Sequence, residues 1–474
     1  MAIGILTERD GEWSDVRELR ELVRMSLVRW QCELRGDGWP RTRRARLTHG
    51  IVITADAVVR LLTEAPSYQT RELLDDVDRH VRCLTRIRPL TPWVEATLAG
   101  LLANSATVVR DRALLALSRE RLGNLLKRQD PEGWFPERGG ADVGRLSFTL
   151  DALAELYVRF RWEELEAALV KGFRFLAHFV SPEGILGRAY NSCGWAVLSP
   201  YGPELVASMS PEAAFVAHTG RARCVSFARN RLAVWDDALC AGLGARYVLA
   251  TIRHRRGPLA NRRDPLEGIA ETHFPNASIS IHTNEHYRAI VGGRQGGALQ
   301  VSWRNGCCLE DAGVNVVFPH RIMTSGRFNR LGRCSVSPGK IVAAGRLASA
   351  RVGSATRARR TRVVPIWMTR LGRLIGRRAE SWGKGLRARK QRARRMDGFS
   401  RTIHFGTDTV EIEDHLRCRF PCEAIVCQAA TVVRGNPPVD CGADDPVSRR
   451  PIIAAGGRNV EIGRTYRDGA LTRD

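Results

Sequence analysis

A helix–turn motif recurs through the first half of the sequence and constrains the fold more than any other feature. Asp-Gly-Trp at residues 37–39 returns as Glu-Gly-Trp at residues 132–134, and Pro-Glu-Gly at residues 131–133 returns at residues 182–184. Each copy follows an apolar run of helical character, where a glycine in left-handed backbone can end a helix. The spacing fits a repeat of about 48 residues, the length of a helical hairpin, and such hairpins stack or close into a ring to bury their apolar faces.

The pattern changes after Pro265 to short segments in which polar and apolar residues alternate. Pairs of glycines mark turns between these segments, the clearest of which are residues 278–281, 287–291 and 298–303. Many short strands separated by polar turns are typical of an antiparallel β-sandwich.

These two patterns predict a multidomain α+β protein. An N-terminal (α/α) toroid is expected over residues 1–260, followed by an antiparallel β-sandwich over residues 261–474. The sandwich carries a basic helical insertion at about residues 363–396. The segment after Asn436 is interpreted as loosely ordered because it begins with two prolines and continues with glycine and polar residues.

The stretch that contains the insertion, residues 340–401, accounts for much of the net charge of +24, since it contains 19 Lys or Arg and two acidic residues. Apolar and basic side chains fall on opposite faces of a helix there, which is typical of a helix at an anionic membrane surface. A helix packed on the sandwich with its arginines in water fits the same pattern. Nucleic acid is not expected as a partner, because the segment has few aromatic residues to stack on bases. The residues predicted to contact a membrane are Trp367, Leu371, Arg373, Leu374 and Arg377.

The sequence shows no targeting signal. Its first residues are too short an apolar run for a signal peptide, and no apolar run approaches the length of about 20 residues needed to cross a bilayer. A cytoplasmic location is therefore expected, with peripheral contact at the inner membrane face. The 12 cysteines are scattered and are interpreted mostly as buried small apolar residues.

The chain resembles the heparinase II/III-like superfamily, and within it members associated with bacterial surface-polysaccharide gene clusters. The resemblance extends over most of the chain and rests on loose motifs, at residues 129–137, 139–142, 181–207, 296–301, 311–313, 401–405 and 410–414. It implies a polysaccharide lyase that cleaves a uronate-containing polysaccharide by β-elimination, with no cofactor and no metal. An acidic polysaccharide is the partner that it implies.

The elimination needs a side chain that stabilises the uronate carboxylate as charge develops, and side chains that remove and return a proton. The loop at residues 188–204 contains suitable types: Asn191 could hold the carboxylate, while Tyr190 or Tyr201 could move protons. His286, in the predicted sandwich, is a further candidate acid or base. Predicted substrate contacts are Arg188, Trp134, Glu137 and Trp195.

Structural roles are open for the same residues. The tyrosines could pack in a hairpin loop, Asn191 could cap a turn, and Asp142 is favoured as the cap of the helix that begins near Leu146. His282 and His286 are expected on one face of a strand beside Asn284, where a substrate-facing edge is favoured over a metal site.

Two features depart from the family pattern. The helical loop lacks an Asn-His pair, and Arg145 replaces an expected aromatic residue. A terpene cyclase or prenyltransferase is disfavoured because the acidic clusters lack the required spacing. The alternative function is a non-catalytic protein that binds a glycan or assists surface-polysaccharide assembly at the membrane face.

Overall fold

Within the residues that it describes, the computed structural model has seven α-helices and fifteen strands. It describes residues 59, 71–86, 91–180, 186–187, 189–193, 197–222, 246, 250, 265–266, 268, 270–318, 321–329, 331–349, 397–418, 422, 424–432, 451–452, 459–467 and 470–472. The chain separates into two units, Met1–Ile269 and Ala270–Asp474. The predicted boundary at residue 260, the basic insertion and its five membrane-contact residues lie outside the described ranges and stay predictions.

The regular secondary structure described in the first unit is helical, apart from a bridge between Glu137 and Gly140. Its helices are α1 (Arg71–Thr85), α2 (Pro92–Val109), α3 (Arg112–Leu126), α4 (Val143–Phe160), α5 (Glu164–Ala177), α6 (Tyr201–Leu205) and α7 (Pro211–Ala222). The α2 helix is apolar and buried on nearly all sides, which is typical of a core helix. Nowhere in the described ranges does a helix combine the length and apolar character needed to cross a membrane.

Gly133 is the one copy of the repeated glycine within the described ranges, and the structure explains why glycine is needed there. Gly133 has a φ of +107°, and a Cβ there would overlap the backbone carbonyl of Lys171 in α5. The side-chain amide of Gln129 donates to the carbonyl oxygens of both Gly133 and Ala168, at 2.9 Å each, and so ties this turn to α5. The other two copies lie outside the described ranges.

The second unit consists of antiparallel sheets. The strands are β1 (Glu271–Phe274), β2 (Ile279–Thr283), β3 (Tyr287–Gly292), β4 (Ala298–Trp303), β5 (Cys308–Phe318), β6 (Arg321–Thr324), β7 (Arg333–Ser337), β8 (Lys340–Arg346), β9 (Ala348–Ser349), β10 (Gly398–Phe405), β11 (Thr409–Arg417), β12 (Ala424–Val432), β13 (Pro451–Ile452), β14 (Asn459–Arg467) and β15 (Ala470–Thr472). The first sheet has the order β1-β2-β3-β4-β5-β12-β13, with β6 joined to β5 and β9. The second has the order β15-β14-β11-β10-β8-β7.

Apolar side chains of the two sheets pack together in buried clusters. Leu299 and Leu309 of the first sheet pack in the same buried cluster as Ile403 and Ile412 of the second. The predicted succession of helices and antiparallel strands is therefore confirmed. The residues after Asn436 on which the interpretation of loose order rests, 437–450, lie outside the described ranges, and β14 beyond them pairs along its whole length with β11.

Four charged side chains form a neutral quartet inside this unit. Arg401 donates from Nε to Asp414 Oδ1 at 2.7 Å and from Nη1 to Asp311 Oδ1 at 3.0 Å. Arg464 of β14 donates to the other oxygens of both aspartates. All four side chains are almost completely inaccessible. Because buried charges are stable only when paired and hydrogen-bonded, these residues depend on one another.

Candidate functional site

A tight turn and a loop meet at the first residue of α4 and form the candidate site. The turn joins Glu137 to Gly140 through two backbone hydrogen bonds, of 2.9 and 3.2 Å. Ser192, in the loop at residues 189–193, donates its hydroxyl to the Glu137 carbonyl oxygen at 2.8 Å. Its backbone N–H donates to the carbonyl oxygen of Ala141 at 2.9 Å. Ser192 therefore holds the loop to the turn through its side chain and to Ala141 through its backbone.

Asp142 connects this loop to the helix. One carboxylate oxygen accepts from the Arg145 N–H at 3.0 Å and caps α4, as the sequence predicted. The other oxygen accepts from the Cys193 N–H at 2.9 Å. A single buried carboxylate therefore satisfies the helix end and holds the loop.

Asn191 and Tyr190 lie inside the loop. Asn191 is 4% exposed; its Oδ1 accepts from the Val143 N–H at 2.8 Å, and its Nδ2 donates to the Gly187 carbonyl oxygen at 2.7 Å. Tyr190 is fully buried against Phe179, and its hydroxyl accepts from the Gly187 N–H at 2.9 Å. The polar atoms of both side chains are hydrogen-bonded to backbone groups of nearby residues. Their proposed roles in chemistry stay predictions.

Glu137 forms an ion pair with Arg145 across 3.1 Å, and both side chains are nearly buried. Burial raises the pKa of the Glu137 carboxyl, and the nearby Arg145 charge opposes this rise. Burial also raises the pKa of the Cys193 thiol, so the thiol stays protonated near neutral pH. Arg145, Ser192 and Cys193 were missed as members of this cluster, although the position of Arg145 three residues after a predicted cap was a usable signal.

The remaining predicted substrate contacts of the first unit are placed differently. Trp134 is 5% exposed and donates from Nε1 to Glu132 at 2.9 Å, so little of the indole is available to stack on a sugar. Arg188 and Trp195 lie outside the described residues.

Tyr201 is the first residue of α6. This short helix contacts α4 at a point further from the start of α4 than the Asn191 contact. The Gly202 N–H donates to Asp151, eight residues after the Val143 contact of Asn191. At 1.5 Å of helix rise per residue these two anchor points are about 12 Å apart. The structure therefore brings Glu137, Tyr190 and Asn191 together and places half-buried Tyr201 about two helical turns away.

His286 belongs to the second unit. Its ring is 44% exposed and forms a contact of 3.3 Å with Glu285. Asn284 accepts from the backbone N–H groups of both His286 and Tyr287, at 2.9 and 2.8 Å, and so forms a turn between β2 and β3.

The expectation that His282 and His286 share one face of a strand is wrong, because the Asn284 turn ends β2 before His286. His282 lies in β2, where it contacts Glu271 at 3.1 Å and stacks on Phe405. Within the described ranges, no three His, Cys, Asp or Glu side chains are grouped as metal ligands would be.

Comparison with known proteins gives similarity in fold without similarity in sequence. The chain matches no family model and no curated protein. Heparinase III aligns over 89% of this chain and 62% of its own, with a TM-score of 0.50 and 8% identity. A Streptomyces coelicolor A3 chondroitin AC lyase aligns over 79% of this chain and 54% of its own, with a TM-score of 0.42 and 11% identity. A Paenibacillus xanthan lyase aligns over 79% and 36%, with a TM-score of 0.46 and 10% identity.

These similarities concern the fold alone. The chain shares a fold with heparinase III, and it spans about half the length of the chondroitin AC lyase that it matches.

Proposed function

We propose that this protein acts on a uronate-containing polysaccharide by β-elimination, through a helical unit that forms an (α/α) toroid. The observation that carries the proposal is the fold shared with heparinase III over 89% of the chain. The net charge of +24 supports an acidic substrate, because it attracts a polyanion at long range.

The reaction removes the proton on the carbon next to the uronate carboxylate. Negative charge develops on that carboxylate and must be stabilised by a positive or hydrogen-bonding group. The bond to the glycosidic oxygen then breaks, an unsaturated uronate forms, and the leaving oxygen takes up a proton. No water is consumed, so one base and one acid within hydrogen-bond reach of the substrate are sufficient.

The accessible candidates for proton transfer are Tyr201, which is half-buried, and His286, whose ring is 44% exposed. Tyr190 and Asn191 are better suited to holding the loop in position, because their polar atoms bind Gly187 and Val143. Arg188 and Trp195, which belong to the same stretch of sequence, remain proposed substrate contacts.

A second function is favoured by the burial of Asn191 and Tyr190. A carboxylate-binding amide and a proton-transferring tyrosine would need to face the substrate, whereas these two groups bind backbone. The second candidate is therefore a glycan-binding protein without elimination activity, acting in surface-polysaccharide assembly.

The test is the ultraviolet absorbance of the unsaturated uronate, recorded while the full chain is incubated with hyaluronan, polygalacturonate or neutral dextran. We expect the signal with the uronate polymers only. Tyr201→Phe and His286→Ala should each lower the rate roughly 100-fold or more, as expected for loss of an acid or base.

Tyr157→Phe is the matched control, since its hydroxyl lies in an exposed contact with Glu166. Absence of product with retained binding of hyaluronan would favour the glycan-binding function. Product formation unchanged in both variants would exclude Tyr201 and His286 from the chemistry.

A further inference from the structure

Three arginines of the described residues have left-handed backbone, a conformation that side chains with a Cβ rarely adopt. The φ angles are +55° at Arg110, +53° at Arg138 and +51° at Arg161. Arg110 and Arg161 end α2 and α4, and their N–H groups donate to carbonyl oxygens of the last helical turn. A left-handed residue is common at that position, so these two arginines have an ordinary structural setting.

Arg138 has a different setting. It is the first central residue of the two-residue turn between Glu137 and Gly140, and Gly139 beside it has a φ of +91°. Turns with two positive φ angles strongly favour Asn-Gly at these positions. An arginine there is disfavoured by the backbone, and such outliers concentrate at functional sites.

The turn is held rigidly, whereas the Arg138 side chain is exposed. Glu137 is anchored by its buried ion pair with Arg145, and the Ser192 hydroxyl donates to the Glu137 carbonyl oxygen. Arg138 is therefore fixed at its backbone beside the loop of Tyr190 and Asn191, and the residue is exposed to solvent.

We propose that Arg138 binds a uronate carboxylate of the polysaccharide, at a site between this turn and the loop at residues 189–193. The inference rests on the proposed function for its class of ligand. A guanidinium matches a carboxylate with two parallel hydrogen bonds. A rigid backbone lowers the ordering cost of binding, which gives a reason for arginine at a position better suited to asparagine or glycine.

The experiment compares Arg138→Gly with Arg110→Gly and Arg161→Gly in the full chain. Each substitution removes one positive charge from an exposed left-handed position, so the effects on net charge and backbone are matched. Calorimetry with hyaluronan gives the affinity, and thermal unfolding gives the stability. Arg161 also lies over the ring of Tyr157 at 5.3 Å, so its gain in stability should be the smallest.

We expect relief of the left-handed strain to raise the thermal midpoint by about 2–4 °C in Arg110→Gly and Arg138→Gly. Only Arg138→Gly should weaken hyaluronan binding, about tenfold, because it alone loses charge-assisted bonds to the ligand. Arg138→Lys should be intermediate in affinity, since it keeps the charge and loses the planar fork. Dextran sulfate, which has sulfate groups and no uronate, should bind the wild type and Arg138→Gly alike.

Equal weakening by all three glycine variants, or unchanged affinity in Arg138→Gly, would overturn the assignment of Arg138. Equal weakening toward dextran sulfate and hyaluronan would overturn the choice of carboxylate. A wild type that binds no hyaluronan would contradict both the ligand class and Arg138. A wild type that binds hyaluronan through Arg138 without forming product would leave Arg138 assigned and remove β-elimination.

Discussion

At the residue scale, the quartet of Asp311, Arg401, Asp414 and Arg464 joins the two sheets of the sandwich through charge. Asp311 lies in the first sheet, and the other three residues lie in β10, β11 and β14 of the second. Burial alone would raise the pKa of Asp311, but the neighbouring Arg401 and Arg464 charges lower it. Asp311 is thus held ionised, and each arginine binds both aspartate side chains.

Arg464→Met should destabilise the sandwich by about 3–5 kcal/mol, because it leaves buried carboxylates without one of their two cations. Arg467→Met is the control: this exposed residue of the same strand pairs with Asp408 at 3.1 Å. Its loss should change stability by less than about 1 kcal/mol. Urea unfolding of the full chain measures both, and equal effects would contradict an energetic role for the quartet.

The lowered pKa of Asp311 also predicts how the stability of the protein changes as the solution becomes acidic. The unfolded state takes up the proton first, so the stabilisation is present above the unfolded pKa of about 3.9 and is lost as pH falls through the folded value. Arg464→Met removes one of the two cations that lower this pKa. In this variant the folded pKa of Asp311 lies closer to the unfolded value, so its free energy of unfolding should fall less than that of the wild type as the pH drops through about 3.9.

At the element scale, the turn that contains Gly133 depends on this glycine, because a residue with a side chain does not fit there. Gly133→Ala would place a Cβ against the Lys171 carbonyl at a positive φ, and we expect a loss of about 2–4 kcal/mol. Gly123→Ala is the matched control, because its Cβ would meet no atom within 4 Å and it lies inside α3. Alanine there should stabilise the helix by about 0.5–1 kcal/mol. Thermal unfolding measures the stability of both variants. An equal loss of stability in the two would contradict this interpretation of the repeated glycine.

Elements with strong apolar patterns could be predicted from the sequence, whereas exposed ones could not. The run at residues 298–303 predicts β4 with its observed bounds. The hairpin of β7 and β8 was missed in both strands, and the residues of β7 are mostly exposed. In β14 the inward positions include Arg464, which interrupts the apolar series and is understandable only beside Asp311 and Asp414.

The candidate site, too, could be predicted only in part from the sequence. Residue types identified the loop of Tyr190 and Asn191, and the position of Asp142 predicted its cap. The partners of Asn191 are Val143 and Gly187, and the first lies 48 residues away in the chain. Such contacts depend on how segments pack, and a single sequence contains no pattern that specifies them.

At the scale of the whole molecule, the basic segment begins and ends at one place in the sandwich. Strands β8 and β10 are neighbours, with Arg346 opposite Gly398, and the Leu347 N–H donates to the Asp397 carbonyl oxygen at 3.3 Å. Residues 351–396, which contain 16 Lys or Arg and one Glu, therefore connect two points that are already adjacent. A short turn could join them without moving either strand.

Replacing residues 351–396 by a short Gly-Asn linker should leave the thermal midpoint of the sandwich within about 5 °C of the wild type, because the β8–β10 pairing is retained. The same variant should bind hyaluronan more weakly and with less dependence on salt, since most of the net positive charge is removed. If only binding to anionic vesicles were lost, with hyaluronan affinity unchanged, the segment would belong to a membrane contact. If the sandwich unfolded, the segment would contribute to its core, and the adjacency of its ends would be insufficient to hold β8 and β10 together.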